Sequence, residues 1–108
     1  MPLETTRVNG KVHLPTGPAP GGEILIRLSE PGSVSDGTQT HTIVGQAVAL
    51  IEPDGSVDFT LVPNSVIAPA GTHYVVEYVF LGGTRKTEKW NVGTTPDPIA
   101  IGDIPIVP

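Results

Sequence analysis

Gly71–Val92 reads GTHYVVEYVFLGGTRKTEKWNV: a β-branched and aromatic run, a Gly-Gly turn, and a polar returning run that ends on the only tryptophan of the chain. Val, Tyr and Phe in alternation are residues that fit a pleated, half-buried surface, so the segment predicts a β-hairpin. A two-residue Gly82-Gly83 turn would set Glu77 against Glu88, and like charges directly opposite are unfavourable. Placing Gly82, Gly83 and Thr84 in the loop instead pairs Glu77 with Lys89, Val76 with Trp90 and Tyr74 with Val92. In that register Tyr78 faces Glu88 and Phe80 faces Lys86. The base of the hairpin therefore reads as core and its tip as mixed, which makes Tyr78 and Phe80 candidates for cover by a second chain.

The strands on either side follow the same period of two. Val8, Val12 and Leu14 alternate with Arg7, Asn9, Lys11 and His13, and Gly10 marks a bulge or a close approach. After the turn-rich Pro15–Gly22 comes Glu23–Ser29, with Ile24, Ile26 and Leu28 on one face. Glu30–Gln39, polar and rich in Ser and Gly, reads as a surface loop. His41–Glu52 reads as one strand with both faces rather apolar. Glu52-Pro53-Asp54-Gly55 is a strong turn signal, and a three-residue loop there would pair Ile51 with Val57, Ala49 with Phe59 and Ala47 with Leu61. Pro63–Ala70 is a connection with one helical turn after Asn64, and its Val66 and Ile67 cap one end of the core. Strands at roughly 8–12-residue spacing predict an all-β chain, a single antiparallel β-sandwich of about seven strands. The expected domain spans 1–108, with a core of 6–102.

Composition supports this reading. Twelve prolines and 13 glycines in 108 residues argue against long helices. A chain of this length folds as one domain that hides roughly two-thirds of its unfolded surface. It has no cysteine, so disulfides and thiolate metal sites are excluded. A net charge of −5 from six basic and 11 acidic residues argues against phosphate backbones and anionic membranes as partners. No apolar run is long enough to span a bilayer, and the N-terminus lacks the apolar stretch of a signal peptide, so synthesis in the cytoplasm without export is expected.

Signals for chemistry are weak. Asp54 and Asp58 lie close in sequence, but Asp54 sits where turn chemistry already favours it. His13, His41 and His73 fall on strand-like segments, outside metal-ligand spacings, and read as partly exposed members of polar faces. No serine lies in a nucleophile elbow, and there is no phosphate-binding or dinucleotide fingerprint. The expectation is a non-enzymatic protein without cofactors. Tyr74, Tyr78, Phe80 and Trp90 at period-two spacing read as a core face rather than a sugar-stacking platform. Arg85, Lys86 and Lys89 form the one local basic cluster, either a solvated strand face or contacts to an acidic partner.

The tail, TTPDPIAIGDIPIVP, holds four prolines and five large aliphatics, so it should be extended, with an edge strand around Ile99–Ile101. Residues 103–108 read as a docking arm. Ile104, Ile106 and Val107 follow a Gly-Asp turn, where a solitary domain is usually polar or frayed. They dock either back onto the sandwich or along a neighbour's sheet edge. The candidate partner-binding residues are thus Tyr78, Phe80, Ile104, Ile106 and Val107.

The order G-K-V-x-L-P, I-x-I-x-L, P-D-G-S-V-D-F-T-L-V-P-N, P-A-G-T-H-Y-x-V-x-Y, E-K-W-N-V and I-x-I-x-D-I resembles a small β-sandwich module of tailed-bacteriophage virion proteins. Such modules occur in head or tail fibres, neck appendages and capsid decorations. The likeness runs roughly from Val8 to Ile104, and Pro53–Asn64, Gly71–Tyr78 and Glu88–Val92 carry most of it. More distantly the chain is similar to transthyretin-like and carboxypeptidase-regulatory-like domains, and the sandwich expected is of immunoglobulin-like or transthyretin-like kind. The resemblance implies a structural protein of the virion, made in the host cytoplasm and assembled in several copies or as a homo-oligomer. It would bind other capsid or tail proteins through its apolar tail and hairpin tip, without nucleic acid or membrane. The competing class is a cell-surface adhesion or carbohydrate-binding module of a larger secreted protein.

Overall fold

A computed structural model describes residues 5–95 and 97–107. The expectations for the first four residues, and those for Pro96 and Pro108 of the tail, lie outside the described residues. Among the described residues the chain is all-β, with eleven strands and two 3-10 turns, Asn64–Val66 and Ile101–Asp103. The strands are β1 (Thr6–Lys11), β2 (His13–Leu14), β3 (Gly17–Pro18), β4 (Gly22–Leu28), β5 (Gly32–Ser35) and β6 (Thr40–Ile43). They continue with β7 (Gln46–Ile51), β8 (Ser56–Leu61), β9 (Tyr74–Phe80), β10 (Arg85–Trp90) and β11 (Ile99–Ala100).

Four of them form a sheet in the order β10-β9-β4-β7 and three another in the order β11-β1-β8, with two-stranded ribbons β2-β3 and β5-β6. All pairings are antiparallel except that of β1 with β11. The larger count than the seven expected comes from two breaks and from two short strands, β3 and β5, inside the expected connections. Gly45, at φ +86°, interrupts the expected His41–Glu52 strand, and Val12 leaves the β1 ladder to donate to Gly55 O at 2.8 Å.

The strongest turn signal does what it should locally but joins different sheets. Glu52 N donates to Ser56 O at 2.9 Å and Gly55 N to Glu52 O at 2.8 Å, while Asp54 Oδ1 accepts from Ser56 N and Oγ. The strands then part. Ala49 and Ala47 pair with Ile24 and Ile26 of β4, and Phe59 and Leu61 pair with Val8 and Thr6 of β1. The expected Ala49–Phe59 hairpin is therefore absent. Ala49, Ile51, Val57 and Leu61 are buried in one core cluster, so the same apolar pattern is satisfied across the core instead of side by side.

The second hairpin forms, shifted by two residues from the expected register. Lys86 pairs with Tyr78, Glu88 with Val76 and Trp90 with Tyr74. The loop is Leu81-Gly82-Gly83, closed by Phe80 N to Thr84 O at 2.9 Å and Gly83 N to Phe80 O at 3.1 Å. Both glycines take positive φ, which favours placing them at the end of the loop. Because a strand's side chains alternate with period two, an even shift leaves every residue on its expected face. Tyr74, Val76, Tyr78, Phe80 and Trp90 all point into the core, although their partners differ. Glu77 faces Thr87 and meets Arg85 at 3.4 Å, not Lys89.

The expected loop Glu30–Gln39 contains β5, whose Val34 is buried. Its hairpin turn is held by Asp36 Oδ1, which accepts from Thr38 N and Gln39 N, and His41 Nε2 lies 2.8 Å from Asp36 Oδ2. The expected helical turn after Asn64 is the first 3-10 turn, and the expected edge strand near Ile99 is β11. Asn64 is buried, accepts from Val92 N at 2.8 Å and donates to Val92 O through its own backbone at 2.7 Å. It thereby fastens this connection to the end of β10.

Gly22 shows how closely β4 and β9 approach. At φ +144°, an added Cβ would sit 2.3 Å from Val79 O. Gly22→Ala should cost about 3 kcal/mol, measured as a lowered urea midpoint, because both the backbone conformation and the contact are unfavourable. Gly93→Ala, which meets nothing within 4 Å, should stay within about 0.5 kcal/mol of the parent. Equal effects of the two would contradict the close β4–β9 approach.

Candidate functional site

Four of the five residues singled out in the sequence line one cleft of about 520 Å³: Tyr78, Phe80, Ile104 and Ile106. The fifth, Val107, lies apart, in a depression with Asn64, Thr72 and His73. Hairpin β9–β10 supplies one wall, the β1–β2 junction another, and the tail from Ile101 to Ile106 the third. Two features of the sequence bring the tail here. The 3-10 turn after β11 redirects the chain, and Ile101 and Ile104 are buried in the core cluster.

The tail then runs along the outer edge of β10. Asn91 N donates to Pro105 O at 3.0 Å and Val107 N to Lys89 O at 2.8 Å, around an antiparallel bridge of Trp90 with Ile106. Of the two docking modes open to the tail, this is the one within the chain. Tyr78 and Phe80 are covered in the same way. They are only 5% and 6% exposed, with ring centroids 5.8 Å apart in a stacked pair. Ile104 is equally buried, whereas Ile106 is 55% exposed. The cover for which a second chain was a candidate comes from this chain's own core, and the shift of register changes only the partners, Tyr78 facing Lys86 and Phe80 facing Thr84.

Sequence reasoning missed the wall at the β1–β2 junction. Lys11, His13 and Leu14 read as part of an ordinary half-buried strand, and only the fold sets them opposite the hairpin tip. The result is a charge asymmetry. Three of the chain's six Lys and Arg residues, Lys11, Arg85 and Lys86, line the cleft, against one of its 11 acidic residues, Glu88. A net-negative chain thus carries a locally positive concavity over an apolar floor.

Glu88 organises the polar part of the cleft. Burial raises the pKa of its carboxyl, but the Tyr78 hydroxyl, the Trp90 indole N–H and Lys86 outweigh this and hold it below the ordinary carboxylate range. Trp90 Nε1 donates to Glu88 Oε1 at 3.2 Å, and Lys86 Nζ lies 3.3 Å from Oε2. The same ammonium sits 5.9 Å from the Tyr78 ring centroid, within cation–π range. Burial, with Glu88 alongside, pushes the Tyr78 hydroxyl pKa well up. Tyr74, as buried as Tyr78, is pushed up to about 12 by burial and donates to Val62 O at 2.6 Å.

The other sequence candidates are occupied structurally. Asp58 forms a two-pronged pair with Arg7 at 2.8 and 2.6 Å, and Asp54 holds its own turn through Ser56. Among the described residues no group of three or more His, Cys, Asp or Glu is placed to hold a metal ion. No described helix is long and apolar enough to cross a membrane.

Two predictions follow from this geometry. Deleting residues 103–108 removes the buried Ile104 and the two hydrogen bonds to β10. It should cost about 3 kcal/mol, read as a lowered urea midpoint; an unchanged midpoint would mean the tail is idle. Glu88, Asp36, Asp54 and Asp58 all have lowered pKa values in the fold. Carboxylates depressed in this way stabilise the fold above their unfolded pKa and lose that contribution as pH falls through the folded value. Stability should be level near neutrality and decline below about pH 4, with a shallower decline in Glu88→Gln. A urea midpoint unchanged on acidification would overturn this.

No family model, curated protein or solved structure matches the chain, so its function is argued from its own residues.

Proposed function

We propose that the seven strands of the two larger sheets form the layers of one β-sandwich domain of immunoglobulin-like or transthyretin-like kind, and that it serves as a non-enzymatic structural protein of a bacteriophage virion. In this reading it is a capsid decoration or a head or tail fibre module, made in the host cytoplasm and present in several copies. Its partner is another virion protein, which it holds through the cleft between hairpin tip and tail.

The observation that carries the binding part is the convergence of Tyr78, Phe80, Ile104 and Ile106 with Lys11, Arg85 and Lys86 on that cleft. An apolar floor with a basic rim suits an extended segment that presents aliphatic side chains flanked by carboxylates. The motif resemblance supports the virion part. The competing reading, a carbohydrate-binding adhesion module, needs ring faces open to solvent. Tyr74, Tyr78, Phe80 and Trp90 are all buried, so this observation favours a protein partner over a glycan.

The test is to fractionate purified particles of the parent phage and probe them for this chain. Presence in the particle is expected, and absence overturns the virion reading. The double variant Lys11→Glu, Lys86→Glu, folded by circular dichroism, should load onto particles about tenfold more weakly than the parent. Equal loading would keep the virion reading and remove the cleft from it.

A further inference from the structure

The two larger sheets present four outer edges, and three are guarded. The tail covers β10. Strand β11 has only two residues and follows Pro98. Strand β8 carries Asp58, paired with Arg7. Short strands, prolines, charges and covering segments are the usual guards against strand addition. The edge strand β7 has none of them. Gln46–Ile51 reads QAVALI, six residues without charge, proline or glycine. Val44, Val48 and Leu50, at 67%, 54% and 65% exposure, make up most of the exposed large hydrophobics among the described residues. A groove of about 790 Å³ runs beside this strand, between it and β8.

The backbone of β7 is equally available. Leu81 N donates to Gly21 O and Ser29 N to His73 O, so the odd-numbered residues of β4 turn toward β9 and the even-numbered ones toward β7. Their partners on β7 are Ile51, Ala49 and Ala47. By alternation along the strand, Gln46, Val48 and Leu50 turn their N–H and C=O groups to the open edge. Glu52 continues the pattern, with its N–H and C=O bonded on the side away from β4.

We propose that this edge is closed by β7 of a second copy of the chain, paired antiparallel about a two-fold axis at Val48. Gln46 then faces Leu50 of the other copy, Val48 faces Val48, and every outward N–H and C=O of these three residues finds a partner. Leu25 already lies beside Val48, so a continuous apolar row, Leu25-Val48-Val48-Leu25, crosses the join on the solvent face. Charge favours the antiparallel direction. Arg27 lies beside Gln46 and Glu23 beside Leu50. Antiparallel self-pairing therefore sets the Arg27 end of each copy toward the Glu23 end of the other, three strand spacings or about 14 Å away, whereas a parallel join would align like ends. The assembly stops at two, because the isologous contact uses β7 of both copies and the tail occupies the opposite edge.

This inference does not depend on the virion reading or on the cleft, and it is tested on the purified full chain. Sedimentation or light scattering should give twice the chain mass. Val48→Lys, folded by circular dichroism, should weaken association about tenfold or more, since it sets two ammonium groups opposite one another. In a chain without other thiols, Val48→Cys should oxidise to a linked dimer. Leu50→Cys should not, because its counterpart lies four residues away along the facing strand. A monomeric parent chain overturns the proposal, even if the edge then takes a strand from another protein. So does a dimer that Val48→Lys leaves intact, or one in which the two cysteine variants cross-link equally.

Discussion

Trp90 is the point at which the separate parts of this fold meet, and it is fully buried. It is the last residue of β10, yet its ring stacks on Phe59 of the other large sheet, at 6.3 Å between centroids and 8° between planes. It also meets Tyr78 edge-on at 6.3 Å. A buried indole N–H needs an acceptor, and Glu88 two residues earlier on the same face supplies it. The backbone of the same residue faces Ile106 in the bridge that docks the tail. One residue thus ties two sheets through its side chain and the C-terminal arm through its backbone, and its indole hydrogen bond explains why a carboxylate is kept half-buried beside the core.

The cleft follows from that arrangement. With Trp90 anchored, β10 is held by its neighbours on both edges, the hairpin tip stands over the tail, and the β1–β2 junction closes the third side. The turn at Glu52–Ser56 matters as much, because it carries the chain from one sheet to the other. Gly55 there makes room for Val12 O, which would lie 2.8 Å from an added Cβ. The crossing also leaves β7 and β8 as outer edges on the same side of the molecule. The cleft and the open strand edge are therefore two consequences of one topology, on different parts of the surface.

The sequence showed faces well and partners poorly. Ile24, Ile26 and Leu28, or Tyr74, Val76, Tyr78 and Phe80, announce their inward side through alternation, and all are buried. Alternation carries no information about a shift by two, so the hairpin register was misplaced while its faces were right. It also cannot separate strands that lie side by side from strands that oppose each other across a core, which is why β7 and β8 read as a hairpin. Strand β5 was hidden by its Ser and Gly content, although the Asp36-Gly37 turn beside Val34 was a legible hairpin signal. At the cleft, the apolar tail and the hairpin tip were legible as unusual. The basic rim was not, because Lys11 and His13 are ordinary residues of a polar face until the fold turns them toward Arg85 and Lys86.

The all-β class, the inward residues, the turns at Gly55 and Gly82-Gly83 and the absence of thiol chemistry were determined by the sequence alone. These depend on local backbone preference and on period-two patterning, which short stretches of chain carry by themselves. Sheet membership, register, the covering of Tyr78 and Phe80 and the exposure of Val48 and Leu50 were decided only in the tertiary structure. They depend on which strands compete for the same edge and the same volume, and that competition is settled by residues far apart in the chain, Trp90 with Phe59 and Ile106 foremost among them.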